Sequence, residues 1–354
     1  MIDIPSEKIP VTILGATEVT GQRLVRLLDG HPWFDVVGVT GGDTGPGRMY
    51  GDIVRWCEPT PIPGRIAAMP LRRPEPAIGG RIAFSALEAD GAGPIEQALA
   101  RAGIVVVSHS GAHRLDPDVP LIIPEVNADH LALLERQRRE RKWSGAIIAS
   151  PNCSTSGLVL AVSPLHRAFG IDRLVVTTMQ AVSGAGYPGV SALDVTGNVI
   201  PLVGGEEEKI ETETRRLLGH LQGAVVTEAS LAVSVHAHRV PVLDGHLLAV
   251  SAGFRRRTTP EDAVAVLEGA RLAPDLSALP SSPPRPVTVD SRADRPQPRL
   301  DIDRDGGMTA IVGRIRPCPV LDIRMVVVTH NRVRGSAGGA ILTAELLVAR
   351  GLFR

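Results

Sequence analysis

The strongest constraint on the fold lies near the start of the chain. A short apolar run, Val11 to Leu14, stops at Gly15, and the turn Gly15-Ala16-Thr17-Glu18-Val19-Thr20-Gly21 leads into an amphipathic stretch from Gly21 to Leu28. Strand, glycine turn and helix in that order open a nucleotide-type fold. A second buried strand follows at Val36 to Val39, then a helical stretch (Gly93 to Arg101) before the β-branched run Ile104 to Ser108, and a charged helix (Asn127 to Lys142) before Ile147 to Ala149. This alternation predicts an α/β protein with a Rossmann-like, doubly wound parallel sheet. The segment Cys57 to Gly80, thick with proline and arginine, interrupts the alternation and is expected on the surface.

Beyond Cys153 the texture changes. Longer β-type runs (Leu174 to Ala181, Val225 to Val235, Leu247 to Phe254, Met325 to Thr329) are separated by few helices, which predicts an α+β domain with a mostly antiparallel sheet. Pro280 to Pro298 reads as an extended loop or arm, and Gly335 to Arg350 as a glycine-led terminal helix. With 354 residues the chain is long for one core. The expected division is a dinucleotide-binding domain over 1–152, completed by helix 335–354, and a catalytic and dimerisation domain over 153–334.

Charge narrows the partners. Lysine plus arginine equals aspartate plus glutamate at 38 each, so no basic field exists for nucleic acid or anionic lipid, and small molecules or other subunits are the expected partners. Apolar runs are strand-length, far below the roughly 20 residues of a membrane span. Asp3, Glu7 and Lys8 break up the first ten residues, so a signal peptide is not expected. Three scattered cysteines make a poor disulfide framework, which predicts a reducing, cytoplasmic setting. Aromatic content of 3% argues against stacking platforms for bases or sugars.

Ser150-Pro151-Asn152-Cys153-Ser154-Thr155-Ser156-Gly157 follows a buried strand and precedes the apolar helix Leu158 to Leu165. The cysteine therefore falls at a helix start, where unpaired N–H groups and the helix dipole lower a thiol's pKa and can hold an oxyanion. Cys57 and Cys318, each near proline in loop-like sequence, read as small buried apolar residues. A nucleophilic thiol needs a base. His246, in the turn Asp244-Gly245-His246 between two β runs, has the most suggestive setting, and His236 and His238 compete with it.

Several blocks together resemble the aspartate-semialdehyde dehydrogenase family, in its archaeal and fungal branch. They are Ser150 to Gly157, Met179 to Gly189, Gly204 to Ile210 and Arg239 to His246, in that order along the chain. The resemblance implies reduction of aspartyl β-phosphate to the semialdehyde through a thioacyl-enzyme on Cys153, with hydride from the reduced form of NADP, NADPH. It makes His246 the acid/base group and Gln180 the residue that positions it or the substrate. Arg239 would grip the substrate α-carboxylate and Glu206 its amino group, Lys209 and Arg114 would hold phosphate, and Asn152 would orient the thiol's surroundings. Gly15, Thr17, Val19, Thr20, Gly21, Thr40, Asp43, Arg48, Ser183, Gly184 and Gly338 would contact the cofactor. Glu207, Glu208 and Glu211 read as a solvated helix face. A homodimer through the second domain's sheet, or a homotetramer of such dimers, is implied.

Three positions depart from that pattern, all in the nucleotide half. Glu18 stands where a second glycine would let the backbone approach a pyrophosphate. Thr44 occupies the usual arginine position for a 2′-phosphate, with Asp43 beside it; an acidic residue there suits a free ribose hydroxyl, so NAD is an alternative, and Arg48 is the remaining source of positive charge. The asparagine expected near Ala112 is absent, although Arg114 is present. These departures leave two further functions open: a cofactor-independent cysteine acyltransferase that uses the same thioacyl-enzyme without binding a nucleotide, and a reductase of a related acyl phosphate or acyl-CoA such as malonyl-CoA.

Overall fold

The computed structural model describes residues 4–41 and 46–353; Asp43 and Thr44, expected near the cofactor ribose, lie outside the described residues. Six strands form the first sheet: β1 (Ile9–Leu14), β2 (Phe34–Thr40), β3 (Leu71–Arg72), β4 (Ile82–Ser85), β5 (Val105–Ser108) and β6 (Ala146–Ala149). Their spatial order is β3-β2-β1-β4-β5-β6 and every pairing is parallel. All residues of β4, β5 and β6 are buried, as they must be when crossover helices cover both faces. Those helices include α1 (Val19–Leu28), α2 (Ala89–Arg101) and α3 (Leu133–Arg141). The connections run in opposite directions on either side of β1 and β4, and Gly15 leaves β1 at that switch point, the usual crevice for a ligand in an open parallel sheet.

The second sheet contains β7 (Ile171–Gln180), β10 (Ala232–Arg239), β11 (His246–Phe254), β12 (Val287–Asp290), β13 (Ala310–Pro317) and β14 (Ile323–Thr329), while β8 (His220–Gln222) and β9 (Val225–Thr227) form a separate hairpin. Its order is β10-β7-β11-β14-β13-β12. The three central pairings are antiparallel and the two edge pairings, β10 with β7 and β12 with β13, are parallel. The sheet is therefore mixed, with the expected antiparallel character in its middle. Helices α4 (Cys153–Phe169) and α6 (Pro260–Gly269) pack on its inner face, and α5 (Glu206–Leu217) lies along β10.

The pleat positions the site. On β7 the buried series Leu174, Val176, Thr178 ends at Gln180; on β10 Val235 and Ala237 end at Arg239; on β11 the series begins at His246 and continues through Leu248 and Val250. Because side chains alternate faces with a period of two, all three polar residues fall on the inner, helix-covered face. Register brings them to the same end of the sheet, with Arg239 paired to Gln180 and Leu247 to Met179.

Two segments differ from expectation. Cys57 to Gly80 contributes the edge strand β3 and buries Ile66, Leu71 and Ile78. Pro280 to Pro298 contains the edge strand β12, whose Val287 is buried in the core and packs towards α6. Both strands are short edges beside proline, a setting in which the ladder is read from pairing and not from periodicity. The last helix, α7 (Gly338–Ala349), returns to the first sheet: Ile341, Leu342 and Leu346 share a core with Ile13 and Val25. Among the described residues no helix is long and apolar enough to cross a membrane.

Candidate active site

Chain direction explains where the thiol lies. Strand β6 ends at Ala149, Ser150-Pro151-Asn152 turns, and Cys153 is the first residue of α4. Asn152 caps that helix: its Oδ1 accepts from the N–H groups of Ser154 and Thr155 at 2.9 and 3.2 Å, a contribution of about 1 kcal/mol to the helix start. The Asn152 Nδ2 donates to both oxygens of Glu206, at 2.9 and 2.8 Å, and Gln180 Nε2 donates to the same carboxylate at 3.3 Å. Lys209 Nζ lies 3.5 Å from Glu206 and is half exposed. Glu206 is thus the hub between the thiol turn and the strand ends.

His246 meets the cysteine directly. Its Nε2 is 3.1 Å from Cys153 Sγ and its Nδ1 accepts from the Ala181 N–H at 3.1 Å. The carbonyl of Ala181 in turn accepts from Arg239 at 2.8 Å. One residue's two backbone groups therefore fix both the histidine and the arginine. Gly184 closes over them, since a Cβ there would sit 2.9 Å from the Arg239 guanidinium and 3.0 Å from the His246 ring. On the other side Gly335 backs the thiol; its Cβ would approach Cys153 Cβ to 2.7 Å. The competing His236 is on the outer face of β10, exposed, and His238 follows on that face with its Nδ1 unpartnered.

Electrostatics reverse one expectation. Burial, reinforced by Glu206, pushes the Cys153 thiol up to about 12 despite its helix start and the nearby Arg114 and Arg239. Burial, with Arg239 and His330, pushes His246 down to about 3. The free protein holds a neutral thiol against a neutral imidazole, because desolvation of the charged forms exceeds what a helix terminus offers. Arg239 is itself lowered by burial.

Arg114 is buried, with NH1 on Glu213 at 3.0 Å, NH2 on the His109 carbonyl at 2.8 Å and Nε unpartnered. Glu213 also accepts from the Asn152 N–H at 2.7 Å, linking the phosphate candidate to the thiol turn. In the loop that lacks the expected asparagine, serines take over: Ser108 Oγ donates to Glu96 at 2.7 Å and accepts from the Ser110 N–H, while Ser110 Oγ accepts from Ala112. Glu207 and Glu211 depart from the solvated reading. They accept from the N–H groups of Ala237 and Val235 on the open edge of β10, at 2.9 and 3.1 Å, and only Glu208 is exposed.

In the nucleotide half the cradle is real but open. Gly15 has φ +68, and a Cβ at Gly21 would lie 2.0 Å from the Gly15 carbonyl, so the turn admits no side chain at either position. No side chain caps α1 and its first turn has no acidic residue, which leaves N–H groups for an anion. Thr40 Oγ1 accepts from Gly15 and so shapes the turn; the Thr17 carbonyl accepts from Gln22; Thr20 meets Ser336 at 3.2 Å. Glu18 immediately precedes α1, with its carboxyl raised by burial and by Glu88. Arg48 is exposed. Gly338 is buried against Met308 and Val333, a packing position. An open cleft of about 800 Å³ is lined by Val19, Arg23, Tyr187 and Ser183 among others, and Ser183 receives a hydrogen bond from Asn331 at 2.9 Å. Cys153 is outside that lining; Ser183 lies on it, and the next residue, Gly184, packs against Arg239 and His246. Cys57, read as buried, is exposed on the cleft wall.

Sequence reasoning missed Ala181, Glu213, Asn331 and Gly335. Ala181 and Gly335 act through backbone or through lack of a side chain, which leaves no motif of their own.

A doubly wound sheet joined to a mixed sheet whose strand ends face a helix-start cysteine defines a thiol-dependent enzyme on a dinucleotide-type fold. Residues 10–134 match the family described as semialdehyde dehydrogenase, NAD binding domain, and residues 162–334 match semialdehyde dehydrogenase, dimerisation domain. The chain belongs to the semialdehyde dehydrogenase family. It is 44% identical to the aspartate-semialdehyde dehydrogenase of Methanothermobacter thermautotrophicus over 95% of this chain and 98% of that one. It is also 36% identical to a malonyl CoA reductase (NADP) of Metallosphaera sedula, over 96% of each chain. The crystal structure of aspartate semialdehyde dehydrogenase with NADP from Candida albicans superposes with a TM-score of 0.91 at 37% identity, covering 97% of this chain and 99% of that one.

Proposed function

We propose that this chain is an aspartate-semialdehyde dehydrogenase, which reduces aspartyl β-phosphate to the semialdehyde with NADP as cofactor. The observation that carries the reading is the 3.1 Å approach of Cys153 to His246 with Arg239 and Glu206 on the same wall. Cys153 attacks the acyl carbon and phosphate leaves, giving a thioacyl-enzyme. Arg239, whose planar fork suits a carboxylate, holds the α-carboxylate. Glu206 exchanges its contacts with Asn152 and Gln180 for the substrate amine, and Arg114 and Lys209 receive the phosphate. Gly15, Gly21 and the uncapped start of α1 hold the pyrophosphate of the dinucleotide. When bound, the nicotinamide supplies the hydride that takes the thioacyl group to the aldehyde. The carboxylate of Glu206 favours an amino-acid substrate over malonyl-CoA, which has no amine to pair with it.

The domain division falls at Asn152–Cys153, with residues 335–354 returned to the first domain. The chain assembles through the outer face of the second sheet, where Val175 and His236 are exposed, as a homodimer or a homotetramer of dimers. It works in a reducing cytoplasm, which keeps Cys153 a free thiol. The test is reverse-direction turnover with aspartate semialdehyde, phosphate and either NADP or NAD, alongside malonyl-CoA with NADPH. Reduction of NADP that requires phosphate is the expected result. Turnover of malonyl-CoA alone, or acyl transfer without any nucleotide, overturns the assignment.

A further inference from the structure

Strand β10 is an edge of the second sheet, with β7 on one side only. Every second N–H along such an edge points away from the ladder and needs another partner. Three in succession find one here. Val235 donates to Glu211 at 3.1 Å, Ala237 to Glu207 at 2.9 Å, and Arg239 to the Ile200 carbonyl at 2.9 Å. Helix α5 thus lies where a neighbouring strand would, with side-chain carboxylates in place of carbonyls. The two periods match: four helical residues rise about 6 Å and two strand residues about 6.6 Å. Glu207 and Glu211 therefore meet Ala237 and Val235 in step, with helix and strand running in opposite directions.

That register fixes a separation on which the substrate depends. Glu206 immediately precedes Glu207, and Arg239 lies two residues beyond Ala237. These are the grips for the amine and the α-carboxylate, two groups that a single carbon joins, so they must be held at one spacing. On its other face α5 is tied to Asn152 through Glu206 and Glu213, but Glu206 gives up Asn152 when it takes the amine. The helix start has no side-chain cap and follows Gly204 and Gly205, the latter at φ +67, so the preceding chain adds little stiffness. The bond from Ala237 to Glu207 is in that first turn, and substrate binding leaves it untouched.

We infer that Glu207 is a positioning residue: by holding the Ala237 N–H it sets the separation of Glu206 and Arg239, and with it the enzyme's fit to an α-amino acid. The inference rests on the aspartate-semialdehyde reading above. Glu211 repeats the contact one helical turn further from the grips, where it steadies the helix with less leverage on the site.

The experiment is reverse-direction kinetics with aspartate semialdehyde, phosphate and NADP, together with thermal melts, on Glu207→Ala, Glu207→Gln and Glu211→Ala. Displacement of one grip weakens substrate binding before it touches the reacting atoms, so Glu207→Ala is expected to raise KM for the semialdehyde about 10-fold and to change kcat by less than about 3-fold. Glutamine keeps an amide oxygen that accepts from Ala237, so Glu207→Gln is expected to restore KM to within about 2-fold of the parent. Glu211→Ala loses the same kind of bond and is expected to lower the Tm by a similar amount while raising KM by no more than about 2-fold. Equal KM rises in the two alanine variants, a fall in kcat with KM unchanged, or failure of glutamine to restore KM reduces Glu207 to edge protection and overturns the inference. If alanine at 207 prevents folding, Glu207→Asp, one methylene too short to reach Ala237, carries the same expectations. A parent enzyme without turnover of aspartate semialdehyde sinks the functional reading and the inference with it, while an active parent with any of the contrary outcomes sinks the inference alone.

Discussion

The two halves of this molecule treat their polar groups differently. Around Cys153 nearly every charged or polar side chain is already engaged: Asn152 with Glu206, Gln180 with Glu206, Arg114 with Glu213, and Arg239 and His246 with the two ends of Ala181. Around the Gly15–Gly21 turn the start of α1 is uncapped and Arg48 is exposed. The catalytic half is pre-organised, so its geometry exists before substrate arrives. The nucleotide half is a cradle that its ligand completes, and Glu18 is the element within it that opposes an anion.

Breaking the pre-organised half should have the larger consequences. Cys153→Ser is expected to lower turnover by on the order of 10⁴ or more, since the sulfur forms the covalent bond and no neighbour can replace it; full activity in steady-state assays would remove the thioester chemistry. Alkylation of Cys153 by iodoacetamide tests its burial. With the thiol raised to about 12, the thiolate fraction grows about tenfold per pH unit from neutral upwards, so labelling should rise about 10³-fold between about pH 7 and 10 without a plateau. A plateau near neutrality would mean an already ionised thiol. Arg239→Lys is expected to raise KM for the amino-acid substrate by about 10²-fold with a smaller effect on kcat, because an ammonium cannot reproduce the planar fork or reach the Ala181 carbonyl in the same way. An unchanged KM would place the α-carboxylate elsewhere.

The open half should respond mildly and in the opposite direction. Removing a charge beside a helix N-terminus is worth about 0.3–1 kcal/mol to a bound anion, so Glu18→Gly is expected to tighten NADPH binding by about 2- to 5-fold in a calorimetric titration. Weaker binding would mean that Glu18 contacts the cofactor favourably, which would erase the contrast between the halves.

How much of this was legible in the sequence follows the same division. The parallel sheet, the glycine turn and the helix-start position of Cys153 were readable because each rests on local pattern: apolar runs, a glycine at positive φ, and asparagine before the cysteine. His246, Gln180 and Arg239 could be singled out through family motifs, but their convergence depends on strand register, which pairs residues about 60 positions apart. The raised thiol was not legible, since proximity to a helix start is local whereas burial and the nearby charge of Glu206 are tertiary. Glu207 and Glu211 looked like solvent-facing charges because nothing in their own helix reveals the open edge of β10 that they cap. Strands β3 and β12 were hidden by their length, two and four residues, beside prolines.

The claim on which everything else depends is that Cys153 carries the acyl group. Incubating the enzyme with aspartate semialdehyde and NADP, without phosphate, should trap it: oxidation of the aldehyde on sulfur leaves a thioacyl group with nothing to discharge it quickly. Intact-mass and peptide mass spectrometry are expected to find one aspartyl adduct per chain, on Cys153, that disappears when phosphate is added. NADP reduction without any adduct, or an adduct on another residue, would contradict the account.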